Sequence, residues 1–353
     1  MPHVSPEAPR NDARAASLMA QEAAEAPRVV ADLLARNAEA VRELAAELRE
    51  RPPRAVLTCA RGSSDHAATF AKYLIETRLG LITASAAPSV SSVYGSSPDA
   101  GDVLCLAISQ SGASPDLIAT AEAAKAGGAR LVALVNAPDS PLAAIADAEL
   151  PLWAGPEVSV AATKSYLAAL AAVAQLVAAW TEDAALEAAL TDLPDQMEAA
   201  RRLDWSAALD AFQDAQSLYV VGRGPGFAAA QEAALKFKET CGLHAEAFSA
   251  AEVRHGPMAL ARDGFPVLAF AQDDPSREGV EALAEELAAA GAAVLLAGGQ
   301  APGATVLPAV AADPLLEPIL LAQSFYGMVE QLARARGFDP DRPPGLAKVT
   351  RTV

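Results

Sequence analysis

Six consecutive residues, Ser109-Gln110-Ser111-Gly112-Ala113-Ser114, concentrate hydroxyl and amide donors around a glycine and run directly into Pro115. An apolar run, Val103–Ile108, precedes them, and a helical stretch, Ser114–Gly127, follows. Donors at the carboxyl end of a strand, beside the unpaired N–H groups of a helix start, form a cradle for phosphate that needs no lysine. Proline suits the first helical position there. The plain alternative is an N-cap and a turn. Arg61-Gly62-Ser63-Ser64 is a second strand-to-helix loop, and Ser63 and Ser64 could face the same ligand.

Proton-transfer groups occur elsewhere. A helix starting near Phe227 carries Glu232, Lys236 and Glu239 on one face. A solvated Glu–Lys face is the simple reading. The neighbours Ala233, Ala234, Leu235 and Phe237 point instead to a mostly buried helix whose charges lie in a cleft, where a carboxylate can serve as a base. The chain has four histidines, His3, His66, His244 and His255. His255 lies in the loop Arg254-His255-Gly256-Pro257 and is the acid–base candidate. His66 and His244 read as structural, the latter in an apolar strand. The tail Pro343–Lys348 is rigid and non-helical, and by pattern alone Lys348 is a solvated charge.

These groups require a scaffold, and 353 residues suggest two domains. Residues 1–50 read as a helical lead-in. Short apolar runs then alternate with helices: strands at Ala55–Cys59, Leu81–Ser85, Val103–Ile108, Arg130–Val135 and Glu149–Trp153, with a closing helix at Thr163–Trp180. The rhythm restarts with strands at Ser217–Val221, His244–Phe248, Pro266–Phe270, Ala293–Ala297 and Thr305–Leu307. Such alternation predicts an α/β fold of two tandem doubly wound parallel sheets, related as an internal repeat. The expected divisions are a first domain at 51–185, a helical connector at 186–210 broken at Pro194, a second domain at 211–336 and a tail at 337–353 that closes the site. Where the first repeat has its serine loop, the second has Gln272-Asp273-Asp274-Pro275-Ser276, whose acids would repel phosphate.

Composition narrows the function. Lys plus Arg is 27 and Asp plus Glu is 44, a net charge of −17 that argues against nucleic-acid partners. Cys59, Cys105 and Cys241 are far apart, show no metal spacing and read as reduced thiols of a cytoplasmic protein. No metal and no cofactor is expected. The Tyr166–Trp180 run is too short for a membrane span of ~20 residues, so no membrane is expected.

Together these segments resemble the sugar isomerase (SIS) domain family, in its tandem form. They are most similar to the isomerase part of glucosamine-6-phosphate synthase and to stand-alone amino-sugar-phosphate deaminases. The marks are Arg61–Ser64, Ser109–Gly112, Gly155-Pro156-Glu157-Val158-Ser159-Val160-Ala161-Ala162-Thr163-Lys164, the Glu232–Glu239 helix, Glu252–Pro257 and Leu346-Ala347-Lys348. The resemblance implies flavodoxin-like domains and a phosphosugar substrate. It implies that Ser109, Gln110, Ser111 and Ser114 hold the phosphate, with Ser63, Ser64 and Ala347 at the substrate. Glu239 would shuttle a proton between C1 and C2, with Lys236 in support. His255 would open the sugar ring from the other subunit of a homodimer. Lys348 matches a lysine that forms a Schiff base in the synthase.

The synthase begins with a glutaminase domain. Here Met1-Pro2-His3 leads into a helix, so no glutamine hydrolysis is expected. Together with Ala113, where the synthase has an acidic residue, this favours release of ammonia: glucosamine-6-phosphate to fructose-6-phosphate. The alternatives are a plain aldose–ketose isomerase, an ammonia-dependent synthase, or a sugar-phosphate-binding regulator.

Overall fold

The computed structural model describes residues 16–348. Helix α1 (Leu18–Glu50) is capped by Ser17, whose hydroxyl accepts from the Ala20 N–H at 3.1 Å. The first half then runs β1 (Ala55–Cys59), α2 (Ser63–Leu79), β2 (Thr83–Ser85), α3 (Pro88–Ser92), β3 (Val103–Ser109), α4 (Pro115–Ala126), β4 (Arg130–Val135), α5 (Pro141–Ile145), β5 (Ala148–Pro151) and α6 (Lys164–Thr181). Helices α7 (Ala184–Ala200) and α8 (Ala207–Phe212) lead to the second half. It consists of β6 (Ser217–Gly222), α9 (Gly226–Cys241), β7 (His244–Ser249), α10 (Ala250–Val253), β8 (Pro266–Phe270), α11 (Arg277–Ala289), β9 (Ala293–Ala297), β10 (Thr305–Leu307) and α12 (Glu317–Ala335).

Both sheets are parallel. Their orders, β2-β1-β3-β4-β5 and β10-β9-β8-β6-β7, are one topology read from opposite ends. The repeat expected from the apolar rhythm is therefore real. In each sheet the order reverses beside the first strand, between β1 and β3 and between β6 and β8. A crevice opens there at the carboxyl ends, where doubly wound sheets take ligands. Strand β3 is buried along nearly its whole length, as a central parallel strand must be.

One large core joins the halves. It draws on α1, α2, α6, α7, α9 and α12 and on the facing sides of both sheets, while smaller clusters lie under α4 and α11 on the far sides. Helix α6 is almost wholly buried, and its alanines allow close approach of α1 and α2. Because α2 also packs against α9, the serine loop of one half and the charged helix of the other are brought together.

Two expectations are corrected. Pro194 does not break the connector: α7 passes through it, held by its buried Leu186, Leu190, Leu193 and Met197. That burial outweighs an interior proline cost of about 3 kcal/mol. His244 is exposed on the edge strand β7, bonded to Ser217 Oγ at 2.9 Å, because strand alternation turns it outward. The Ala-rich helices α6 and α9 bury their apolar surface within one chain. No helix among the described residues is long and apolar enough to cross a membrane.

Candidate functional site

Two loops meet at the switch point of the first sheet. After β1, Gly62 takes φ +56° and lets α2 begin at Ser63. After β3, Ser109 Oγ accepts from the Gly112 N–H at 2.9 Å and curls the loop. Gly112 has φ +59°, and a Cβ there would lie 2.2 Å from Ser140 Oγ and 2.9 Å from Val135 Cγ2. Only glycine fits that turn. Ser114 caps the start of α4 by position, but its hydroxyl makes no capping bond and stays available to a ligand. Between the loops, Arg61 Nε and Nη2 donate to Asp116 Oδ2 at 2.9 and 2.7 Å. Asp116 is buried and Arg61 half-exposed.

Helix α9 supplies the facing wall. Lys236 Nζ lies 3.4 Å from Glu232 and is bonded to Glu239. Glu232 is fully buried and accepts from Ser63 Oγ at 3.0 Å and Tyr326 OH at 3.1 Å, with His66 Nδ1 at 2.8 Å. Burial alone would push its carboxyl up. Lys236, His66 and Ser63 outweigh burial and hold it below the usual carboxylate range. Burial pulls the Lys236 amine down, but Glu232 and Glu239 more than restore it, so it is an ammonium at neutral pH. Glu239 is partly exposed and lines the cavity in front of this network.

The tail forms the third wall. Asp341 accepts from the Leu18 and Met19 N–H groups at 2.8 Å each, tying the tail to the start of α1. Leu346, Ala347 and Lys348 then reach the cavity. Lys348 Nζ meets Glu157 at 3.0 Å, so it is a paired cation rather than the solvated charge its isolation suggested. Glu157 is buried and accepts from the Thr163 and Ser165 N–H groups at 3.0 and 3.1 Å and from Ser165 Oγ at 2.6 Å. Burial would raise its carboxyl, yet Lys348, the Ser165 hydroxyl and the two N–H groups hold it below the usual range. The same segment is anchored by Glu22 of α1, which accepts from the Val158 and Ser159 N–H groups.

These three walls enclose a cavity of about 350 Å³. Ser63, Ser64, Ser109, Gln110, Ser111 and Ser114 from the first half line it together with Lys236 and Glu239 from the second and Ala347 and Lys348 from the tail. Ser63 already donates its hydroxyl to Glu232, so its part at the site is partly to hold that carboxylate. His255 is not among the lining residues. It is exposed in the turn after α10, its N–H bonded to the Glu252 carbonyl.

Several supporting groups were not singled out from sequence. Glu157, Asp116 and Tyr326 each gain their place from a long-range contact. His66, read as structural, orients Glu232 directly behind Lys236. The available signals were weak: an acid after Gly155-Pro156, an acid in the first turn after Pro115, and a histidine in the first turn after a serine loop. Among the described residues no cluster of His, Cys, Asp and Glu is arranged to hold a metal ion, and the three cysteines are buried and free.

Comparison with known proteins bears on the family and the fold. The SIS domain family model matches residues 51–179 and 211–301, more than half of the chain. The crystal structure of a candidate phosphosugar isomerase from Silicibacter pomeroyi DSS-3 superposes with a TM-score of 0.89 at 46% identity, covering 92% of this chain and 100% of that one. The glutamine–fructose-6-phosphate aminotransferase (isomerizing) of Aeropyrum pernix is 35% identical over 316 residues, which is 83% of this chain and 50% of the relative. This chain thus spans about half the length of the curated relatives it matches. The glucosamine-6-phosphate deaminase of Thermotoga maritima shares the fold, with a TM-score of 0.74 at 22% identity over 95% of this chain and 100% of that one.

Proposed function

The chain belongs to the SIS domain family, and from that premise we propose that it converts glucosamine-6-phosphate to fructose-6-phosphate and ammonia. The observation that carries this reading is the single cavity that joins a phosphate-type loop from one half to a lysine–carboxylate pair from the other.

In this mechanism the phosphate rests on Ser109, Gln110, Ser111 and Ser114 and on the N–H groups that open α4. Ser64 and Ala347 border the sugar. Glu239 removes the proton from C2 of the open-chain amino aldose and delivers a proton to C1. The amino aldose becomes a ketimine at C2, which water hydrolyses to the ketose and ammonia. Lys236, an ammonium held between two carboxylates, stabilises negative charge that develops on the C1 oxygen during the transfer. Lys348 is paired with Glu157 at 3.0 Å, which suits a lysine that closes the cavity. To attack a keto sugar as an amine it would first have to leave that pair.

His255 lies outside the cavity of its own chain, so a ring-opening role requires a second copy. The test is mixing: Glu239→Gln and His255→Ala variants, each inactive alone, regain about a quarter of wild-type activity when co-folded if sites are shared between subunits. No recovery from the mixture removes the shared site.

The substrate is tested by ammonia release from glucosamine-6-phosphate, with galactosamine-6-phosphate alongside. Release identifies a deaminase and its sugar. Plain aldose–ketose isomerisation is the second reading, favoured by the similarity to the Silicibacter protein. It wins if glucose-6-phosphate and fructose-6-phosphate interconvert without ammonia release. Binding of a sugar phosphate with no turnover of any kind would instead indicate a regulator.

A further inference from the structure

Ser63 and His66 stand three residues apart in the first turn of α2, and both reach Glu232 on the helix that carries Lys236 and Glu239. Each takes a different oxygen. Oε1 accepts from Ser63 Oγ at 3.0 Å and from Tyr326 OH at 3.1 Å, and it faces Lys236 Nζ at 3.4 Å. Oε2 meets His66 Nδ1 at 2.8 Å, its one partner among the described residues. Glu232 is held below the usual carboxylate range and is ionised. An ionised carboxylate only accepts, which assigns a proton to His66 Nδ1. The surroundings are nearly dry, with the side chains of Glu232 and Lys236 each 1% exposed and that of His66 16%. There an oxygen without a donor is costly. With His66 gone, only Oε1 would be fixed, and the plane of the carboxylate could turn about it.

We propose that His66 is a positioning residue for the proton transfer: by holding Oε2 of Glu232 it keeps Oε1 against Lys236, and so aims the ammonium and, through it, Glu239 at the reacting carbons. The proposal rests on the reading of Glu239 as the base. Lys236 Nζ is held between Glu232 and Glu239, so a turn of Glu232 displaces it relative to both. His66 is not among the cavity-lining residues and acts through Glu232. It does so from the same helical turn whose Ser63 and Ser64 do line the cavity, which sets the loop of the first half against the acid–base helix of the second. Its effect should therefore fall on the chemical step and follow the donor at Nδ1 rather than the bulk of the ring.

The experiment compares wild type with His66→Leu, which removes the donor, and His66→Asn, whose amide N–H stands close to the place of Nδ1. Values of kcat and KM are measured for glucosamine-6-phosphate and, should wild type not turn it over, for fructose-6-phosphate, and fructose-6-phosphate binding is titrated by calorimetry. His66→Leu is expected to lower kcat by roughly tenfold to a hundredfold, the scale of a small misplacement of catalytic groups, with KM and binding within about threefold of wild type. His66→Asn is expected to restore kcat to within about threefold. A wild-type kcat in His66→Leu overturns the proposal. So does a kcat in His66→Asn as low as in His66→Leu, since the ring and not the donor would then matter. A rise in KM as large as the fall in kcat overturns it as well, because His66 would then shape the substrate loop alone. If His66→Leu does not fold, His66→Gln decides, because its amide is displaced toward the place of Nε2: a lowered kcat beside an active His66→Asn supports the proposal, and an unchanged kcat overturns it. Wild-type turnover that survives Glu239→Gln, or a wild type that turns over neither sugar phosphate, overturns the base reading and the proposal with it. Turnover that depends on Glu239 but not on the donor at residue 66 overturns the proposal alone.

Discussion

The two halves share a topology but treat the same crevice oppositely. At the switch point of the first sheet, β3 ends with Ile108 and Ser109, both buried, and the chain then turns outward through Gln110 and Ser111 before Gly112. At the corresponding point of the second sheet stands Gln272, fully buried, whose amide donates to the Arg223 carbonyl at 2.7 Å, to Asp274 at 3.0 Å and to Ser276 at 2.9 Å. Its side chain bridges the two loops that are separated by a cavity in the first half. The second loop spends its donors on itself, since Asp274 also accepts from the Ser276 N–H at 2.8 Å. Duplication supplied two potential sites, and self-satisfaction closed one of them. The closed half instead presents α9, so its contribution to the remaining site is Lys236 and Glu239.

This contrast can be broken by experiment. The largest effect on binding is expected from Ser109→Ala with Ser111→Ala, which removes two hydroxyls from the open loop. Hydrogen bonds to a charged group are worth about 1.5–3 kcal/mol each, so KM for a sugar phosphate should rise by roughly 100-fold or more. Ser276→Ala in the closed loop should leave KM within about threefold, and a comparable rise there would erase the distinction.

Crowded glycines provide the next test. A Cβ at Gly112 would meet Ser140 Oγ at 2.2 Å, and a Cβ at Gly226 would meet Gln272 Oε1 at 2.2 Å. Both alanine variants should lose about 1–3 kcal/mol of stability by overpacking, read as a shift in urea midpoint. Only Gly112→Ala should also raise KM for the sugar phosphate substantially.

Acid pH probes the buried carboxylates that join the halves. Glu157 and Glu232 are both held below the ordinary 4.5 in the folded chain. They release protons more readily when folded than unfolded, so their stabilisation is complete above about pH 4.5 and is lost as pH falls through the lower folded values. Melting temperature should fall steeply below pH 4.5, and Glu157→Gln should make that acid limb shallower. An unchanged slope would mean that the Glu157–Lys348 pair adds nothing to closure.

The smallest effect is expected from Asp273→Asn with Asp274→Asn. Removing the acids does not remove Gln272, so phosphate titrated by calorimetry should still occupy one site per chain. A second site would show that charge alone closed the crevice.

Much of this arrangement was legible in the sequence. All ten strands among the described residues lie within two residues of their expected bounds, because the central ones are short apolar runs buried on both faces and turn residues bracket the rest. The serine loop was visible because its residue types match the chemistry of a strand-to-helix turn. The Glu232–Lys236–Glu239 face followed from helical spacing. What could not be read was everything fixed by distance in the chain: Glu157 receiving Lys348, His66 and Tyr326 holding Glu232, and Asp341 capping α1. Pro194 misled because its local cost is real, and only the buried face of α7 overrides it.

The central claim is that the first half holds the phosphate while Glu239 of the second moves the proton. It is tested most directly by Glu239→Gln, assayed for turnover of glucosamine-6-phosphate and for fructose-6-phosphate binding in the same preparation. The account predicts binding within about threefold of wild type at one site per chain. Turnover should fall by roughly 10²–10⁴, the usual worth of a positioned base. Turnover near the wild-type rate would contradict it.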